Sequence, residues 1–132
     1  MTKFLGPYSE YVYAVMRVVA GFLLSCHGAQ KLFGALGGQS MLGDPLMLVA
    51  GCIEFFGGIL IAIGLIASCA AFIASGEMAV AYFKVHAPHG FWPILNRGEL
   101  AVALCFVFLY IAFRGAGPIS LDHVLKQYKG PI

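Results

Sequence analysis

The chain has 132 residues, 61% of them hydrophobic and only 11% charged, with a formal net charge of +2. Charged residues make up about a quarter of an ordinary soluble domain, so this composition excludes that class and points to an integral membrane protein. So small a charge surplus, with no basic stretch interleaved with aromatics, also excludes nucleic-acid binding.

Lys3, Gly6, Pro7 and Ser9 favour turns at the start of the chain, and Tyr8, Tyr11 and Tyr13 suit the headgroup belt of a bilayer. The first apolar stretch contains Arg17 and is followed by further apolar stretches, so it reads as a retained helix over about 11–32 rather than a cleaved signal. At about 1.5 Å per residue it is long enough to cross about 30 Å of hydrocarbon. Gly34, Gly37, Gly38 and Gly43 mark a loop, and Pro45 is placed to start a second helix over about 46–66. Glu54 lies there among Gly51, Gly57 and Gly58, small residues that admit a close neighbour. Gly64 and Ser68 interrupt an apolar run too long for one span, and a third helix over about 67–85 must end before Pro88, Gly90 and Pro93. A loop carrying Trp92 leads to a fourth helix over about 98–114, opening with Glu99, and the tail turns polar at Lys126 and Lys129. The expected fold is all-α, an integral membrane antiparallel four-helix bundle forming one domain over 1–132. Lys3, Arg114, Lys126 and Lys129 on the side of the termini, against Lys31, Lys84 and Arg97 on the other, place both termini in the cytoplasm.

Glu77 is the costliest residue in this arrangement. An acid at a helix centre costs about 2.5–3.5 kcal/mol on an insertion scale, while each Leu, Ile, Phe or Val returns only about 0.3–0.6 kcal/mol. Glu77 therefore needs a polar partner or a watery cavity inside the bundle. Counting about 1.5 Å per residue from the side of the termini puts Arg17, Glu77 and Glu54 at roughly 9, 15 and 18 Å, and His27, Lys31, Lys84, His86 and Glu99 at roughly 24 Å or beyond. The expectation is an inner layer in which Arg17 neutralises Glu54 or Glu77, and an outer polar layer near the far interface. Arg17, Gly21 and Gly28 share one face of the first helix, as do Ala70, Ala74, Glu77, Ala81 and Lys84 of the third. Ion pairs alone could lock such helices in register, but ionisable groups at two levels exceed what register needs and favour a functional cavity. Cys26, Cys52, Cys69 and Cys105 have no CxxC or CxxH spacing and read as packing residues. His86 and His89 flank Pro88 with no third ligand at matching spacing, so no metal is expected.

Six segments stand in a distinctive order: Arg17 to Gly21 (RVVAG), His27 to Gly34 (HGAQKLFG), Glu54 with Gly57 and Gly58 (IEFFGG), Ser75 to Phe83 (SGEMAVAYF), His86 to Trp92 (HAPHGFW), and Asn96 to Leu100 with Ser120 to Asp122 (NRGEL and SLD). In this order and spacing, over nearly the whole chain, they resemble the DoxX family of small four-helix membrane proteins. The resemblance implies a multi-pass protein of the bacterial inner membrane, a quinol-oxidase-like or oxidoreductase-associated subunit. By matching motif it implies Arg17, His27, Lys31, Glu54, Glu77, His86 and Glu99 as ligand-binding positions, and a small residue at the place that Arg97 occupies here.

The chain carries no haem-ligand pair at matched depth, flavin or nicotinamide fingerprint, or iron-sulfur cysteine spacing, so no covalently bound cofactor is expected. A redox role then requires a carrier made elsewhere, for which a quinone is the natural candidate in a bilayer. Its head group needs donors at its carbonyls when oxidised and acceptors for its hydroxyls when reduced. His27, Lys31 and the acids offer both, with Glu54 and Glu77 as proton-handling candidates. Two other readings compete: a non-catalytic anchor for a redox partner protein, or a small transporter or proton path using Glu54 and Glu77. A homo-oligomer is compatible with each.

Overall fold

The structure is a computed structural model that describes residues 1–129, and every regular element among them is helical. Five helices carry the fold: α1 (Ser9–Phe33), α2 (Pro45–Ile63), α3 (Ala67–Ala81), α4 (Glu99–Arg114) and α5 (Leu121–Tyr128). Single turns at Thr2–Leu5 and Gly6–Tyr8 lead into α1, a π-helical turn at Tyr82–His86 prolongs α3, and a short helix at Pro93–Asn96 precedes α4.

The helix ends follow local chemistry. Asp44 accepts from the backbone N–H groups of Leu46 and Met47 and Pro45 occupies the first turn of α2, where its missing N–H costs nothing. Gly64, at φ +71°, caps α2 in a left-handed conformation, so the helix ends at Ile63, three residues before the expected limit at 66. The third helix departs from its expected limit at 85, because its α-helical part stops at Ala81 and the π turn takes the chain on to His86.

With the turns before it, α1 forms a helical run over Thr2–Phe33 that is long and apolar enough to cross a membrane, and so is α2. α3 and α4, with 15 and 16 residues, rise only about 23–24 Å against a hydrocarbon thickness of about 30 Å. The π turn brings α3 closer to that length.

Two helix pairs make the bundle. α1 and α2 run antiparallel through facing glycines: a Cβ on Gly21 would lie 2.7 Å from Ala62 N, and one on Gly28 2.6 Å from Phe55 Cα. Only a bare backbone fits this seam, so the axes approach closely, as small residues permit in membrane helices. α3 and α4 also pack antiparallel, with Ser75 Oγ donating to the Cys105 carbonyl at 2.8 Å. Between the pairs Leu24, Ile61, Ala71, Ala74, Phe108 and Ile111 are fully buried. The outer surface is apolar too: Val15, Phe22, Phe56, Phe72, Phe106 and Phe113 are all exposed. Large apolar side chains facing outward on every long helix are what a lipid-facing surface requires.

Arg17 does not meet Glu54 or Glu77, contrary to expectation. Its guanidinium donates to the carbonyls of Ile61 and Ala62 at 2.6 and 2.7 Å, and to that of Ile119 at 2.6 Å. The last carbonyls of a helix lack intrahelical partners and sit at the negative end of the helix dipole, so the end of α2 competes successfully for a buried cation. Asp122 completes the junction: its carboxylate accepts from Ile66 N and Ala67 N at 2.8 and 3.1 Å, and its own N–H donates to Gly64 O at 2.9 Å. The tail is thereby fastened to the turn between α2 and α3. At the same end Glu10 pairs with Arg114, whose guanidinium lies over the Tyr13 ring.

Candidate functional site

At the opposite end, residues of the first four helices line a cavity of about 750 Å³. Its walls are apolar, with Ile53, Ile73, Val80 and Leu104 among them. Its charged floor is built from three helices.

Lys31, in the last turns of α1, forms an ion pair with Glu54 of α2. The local cause is Gly51, where a Cβ would stand 3.1 Å from Lys31 Cβ. The lysine stem lies against the bare backbone there, and its ammonium reaches the carboxylate one turn further along the same face of α2. Depth counting by Cα position had put these two residues in different layers; the length of the lysine side chain joins them. Glu77, on the face of α3 that carries Ala70, Ala74 and Ala81, brings its carboxyl group to that of Glu54. Glu54 is 2% exposed, and both Glu54 Oε2 and Glu77 Oε2 are buried without a hydrogen-bond partner among the described residues. The floor thus holds two carboxyl groups and one lysine, with two oxygens free to accept.

Lys84, His86 and Arg97 line the cavity further along, and His27 lines it from α1. Lys84 and Arg97 are exposed, whereas His86 is half-buried with Nδ1 3.1 Å from the Asn96 carbonyl. Asn96 holds this loop in shape: its amide donates to Gly90 O at 2.6 Å, and its side-chain oxygen accepts from Gly98 N at 2.8 Å. The Tyr82 hydroxyl donates to the Phe91 carbonyl in the same network. Arg97 caps the short helix at φ +61°, a left-handed conformation that glycine, with no Cβ, adopts with less strain.

Of the seven positions expected from the sequence, the cavity brings together His27, Lys31, Glu54, Glu77 and His86. Arg17 belongs to the junction at the other end, and Glu99 is exposed in the first turn of α4, where a carboxylate suits the helix dipole. Lys84 and Arg97 line the cavity although sequence reasoning left them out of the site, and the signal for Lys84 was its place one face-repeat beyond Glu77. Asn96 and Tyr82 were missed as organisers of the loop, since nothing in their spacing marks them. No group of three or more His, Cys, Asp or Glu among the described residues is placed to hold a metal ion. The arrangement can enclose an apolar body and engage a polar head through the lysine and the free carboxyl oxygens.

Comparison with known proteins agrees with a membrane helical protein. The DoxX family profile matches residues 12–87. An uncharacterized protein of Haemophilus influenzae is 44% identical over 126 residues, a match covering 90% of this chain and 94% of that protein. No solved structure matches the chain.

Proposed function

The chain belongs to the DoxX family, and from that premise we propose that it is a multi-pass protein of the bacterial inner membrane that binds a quinone or lipid-like ligand in the cavity between its helices. The observation that carries this is the cavity of about 750 Å³, apolar in its walls and charged at its floor. Sites for small ligands are commonly about 300–1,000 Å³ and combine that lining with a few polar groups that fix orientation. Lys31 has ammonium hydrogens beyond the one directed at Glu54, and His27 adds a ring that can donate from one nitrogen, so donors are present for a head-group carbonyl. The outward apolar residues on all four long helices support a bundle lying wholly in lipid, and the excess of Lys and Arg at the end of the termini supports a cytoplasmic position for them. The setting as membrane subunit of an oxidoreductase system extends this by resemblance alone.

Titration of the full chain in lipid nanodiscs with decylubiquinone tests the proposal, read by quenching of Trp92 and by mass spectrometry of retained ligand. Saturable binding is expected, weakened about ten-fold or more by Ala81→Phe, which places a ring in the cavity, with the melting temperature measured alongside. Binding no stronger than partition into empty nanodiscs would remove the quinone and leave a lipid-like ligand, whereas equal binding by a folded Ala81→Phe protein would sink the cavity as the site.

A further inference from the structure

We infer that the head group taken by this cavity is cationic, a lipophilic amine in its ammonium form that directs N–H bonds to Glu54 Oε2 and Glu77 Oε2. The inference rests on the cavity being a ligand site and selects among the heads that such a site would accept. Two carboxyl groups meet at the floor, and Lys31 is the cation that reaches them. Its ammonium is engaged by Glu54 Oε1, which leaves Oε2 of each acid buried without a partner among the described residues. Buried polar atoms are ordinarily satisfied, and two orphan acceptors on residues that line one cavity mark the place of a missing donor. The charge balance points the same way, since two adjacent carboxyl groups beside one lysine can both be ionised in a dry setting only if a second cation joins them, and otherwise one must hold a proton.

The head groups available to a membrane ligand differ in how they meet this demand. A quinone carbonyl or a carboxylate brings only acceptors and sets lone pairs against lone pairs at the two glutamates. An alcohol supplies one donor and no charge. An ammonium supplies three donors and the missing charge, in the stronger charge-assisted form of the bond. Lys84 and Arg97 also carry positive charge, but both are exposed. Lys84 stands seven residues from Glu77, about 10 Å along the helix, where solvent and salt screen it. The apolar walls then accommodate an alkyl or aryl body.

Three ligands of one chain length isolate the head group: dodecylammonium, dodecanol and dodecanoate, each titrated at pH 7 against the full chain in phosphatidylcholine nanodiscs and corrected for partition into empty discs. Dodecylammonium is expected to bind about ten-fold or more tightly than dodecanol, with dodecanoate weakest. Glu77→Gln should bring the ammonium down to the affinity of the alcohol. Dodecanol or dodecanoate binding as tightly as dodecylammonium overturns the inference, as does an unchanged preference in folded Glu77→Gln. If that variant misfolds, the ranking in the unmodified chain decides. Binding of decylubiquinone without dodecylammonium refutes the cationic head and leaves the cavity a ligand site, whereas binding of none of the four removes both.

Discussion

A buried arginine and a half-buried lysine show how differently one charge can be used beside a low-dielectric interior. Arg17 is bound by carbonyl oxygens alone, through three hydrogen bonds of 2.6–2.7 Å, while its Nε stays buried without a partner. Hydrogen bonds to a charged group are each worth about 1.5–3 kcal/mol, so Arg17→Ala should destabilise the protein by about 3 kcal/mol or more. Because Arg17 contacts neither Glu54 nor Glu77, adding Glu54→Gln or Glu77→Gln should recover none of that loss, which denaturant unfolding of the single and double variants would measure. Lys31 is the opposite case, since its ammonium is the counter-charge of a 2% exposed Glu54. Breaking a buried pair from one side costs about 3–5 kcal/mol, and Lys31→Met should cost about that much. Adding Glu54→Gln should return most of it, and a purely additive double variant would mean that the two residues are not energetically paired. These two fates were illegible from charge alone. Side-chain spacing reveals which ions lie near one another in depth, but the unsatisfied carbonyls of a helix end are invisible in a list of charged residues.

The helices themselves were legible because their signals are local and redundant: apolar runs, Pro45 at a first turn, Gly64 at a last one. The finer limits depended on tertiary partners, for Ile66 adopts φ +45° where the Asp122 carboxylate accepts its N–H, from 56 residues away. Glycine content announced that two helices approach closely without saying which glycines are in the seam. The structure separates them. A Cβ on Gly58 would lie 2.6 Å from Ser25 N, whereas one on Gly57 or Gly76 would meet nothing within 4 Å. Overpacking typically costs about 1–3 kcal/mol, and Gly58→Ala should cost that much or more because the obstruction is backbone. At Gly57 and Gly76 the same substitution gains up to about 1 kcal/mol of helix propensity, so those variants should be neutral or stabilised. Melting temperatures of the three alanine variants give the comparison, and equal losses at all three would mean that α1 and α2 do not meet at Gly58.

At the scale of the whole molecule the polar groups separate into two ends with different work. One end holds the junction of Arg17 and Asp122 with the turn after α2; the other holds the floor of Lys31, Glu54 and Glu77. The sequence already pointed to two polar levels, and five of the seven expected site residues do line one cavity. What it could not convey was the division of labour, because depth counting sets Arg17 only about 9 Å from Glu54, within reach of a long guanidinium, and does not show that the side chain turns to the end of α2 instead. The two ends stand fourteen residues apart on α1, about 21 Å along the helix, and no residue takes part in both. Sites more than about 7–10 Å apart with no shared partner are additive to within about 0.5 kcal/mol. Arg17→Ala should therefore lower stability without changing the ligand affinity of the protein that remains folded. Glu77→Gln removes a carboxylate that no lysine of its own balances, so it should change ligand affinity while leaving stability equal or higher. The double variant should show the sum of the two stability changes and the affinity of Glu77→Gln alone. A coupling above about 1 kcal/mol between Arg17 and Glu77 would mean that the junction and the cavity form one network after all, and that the tail bears on the site.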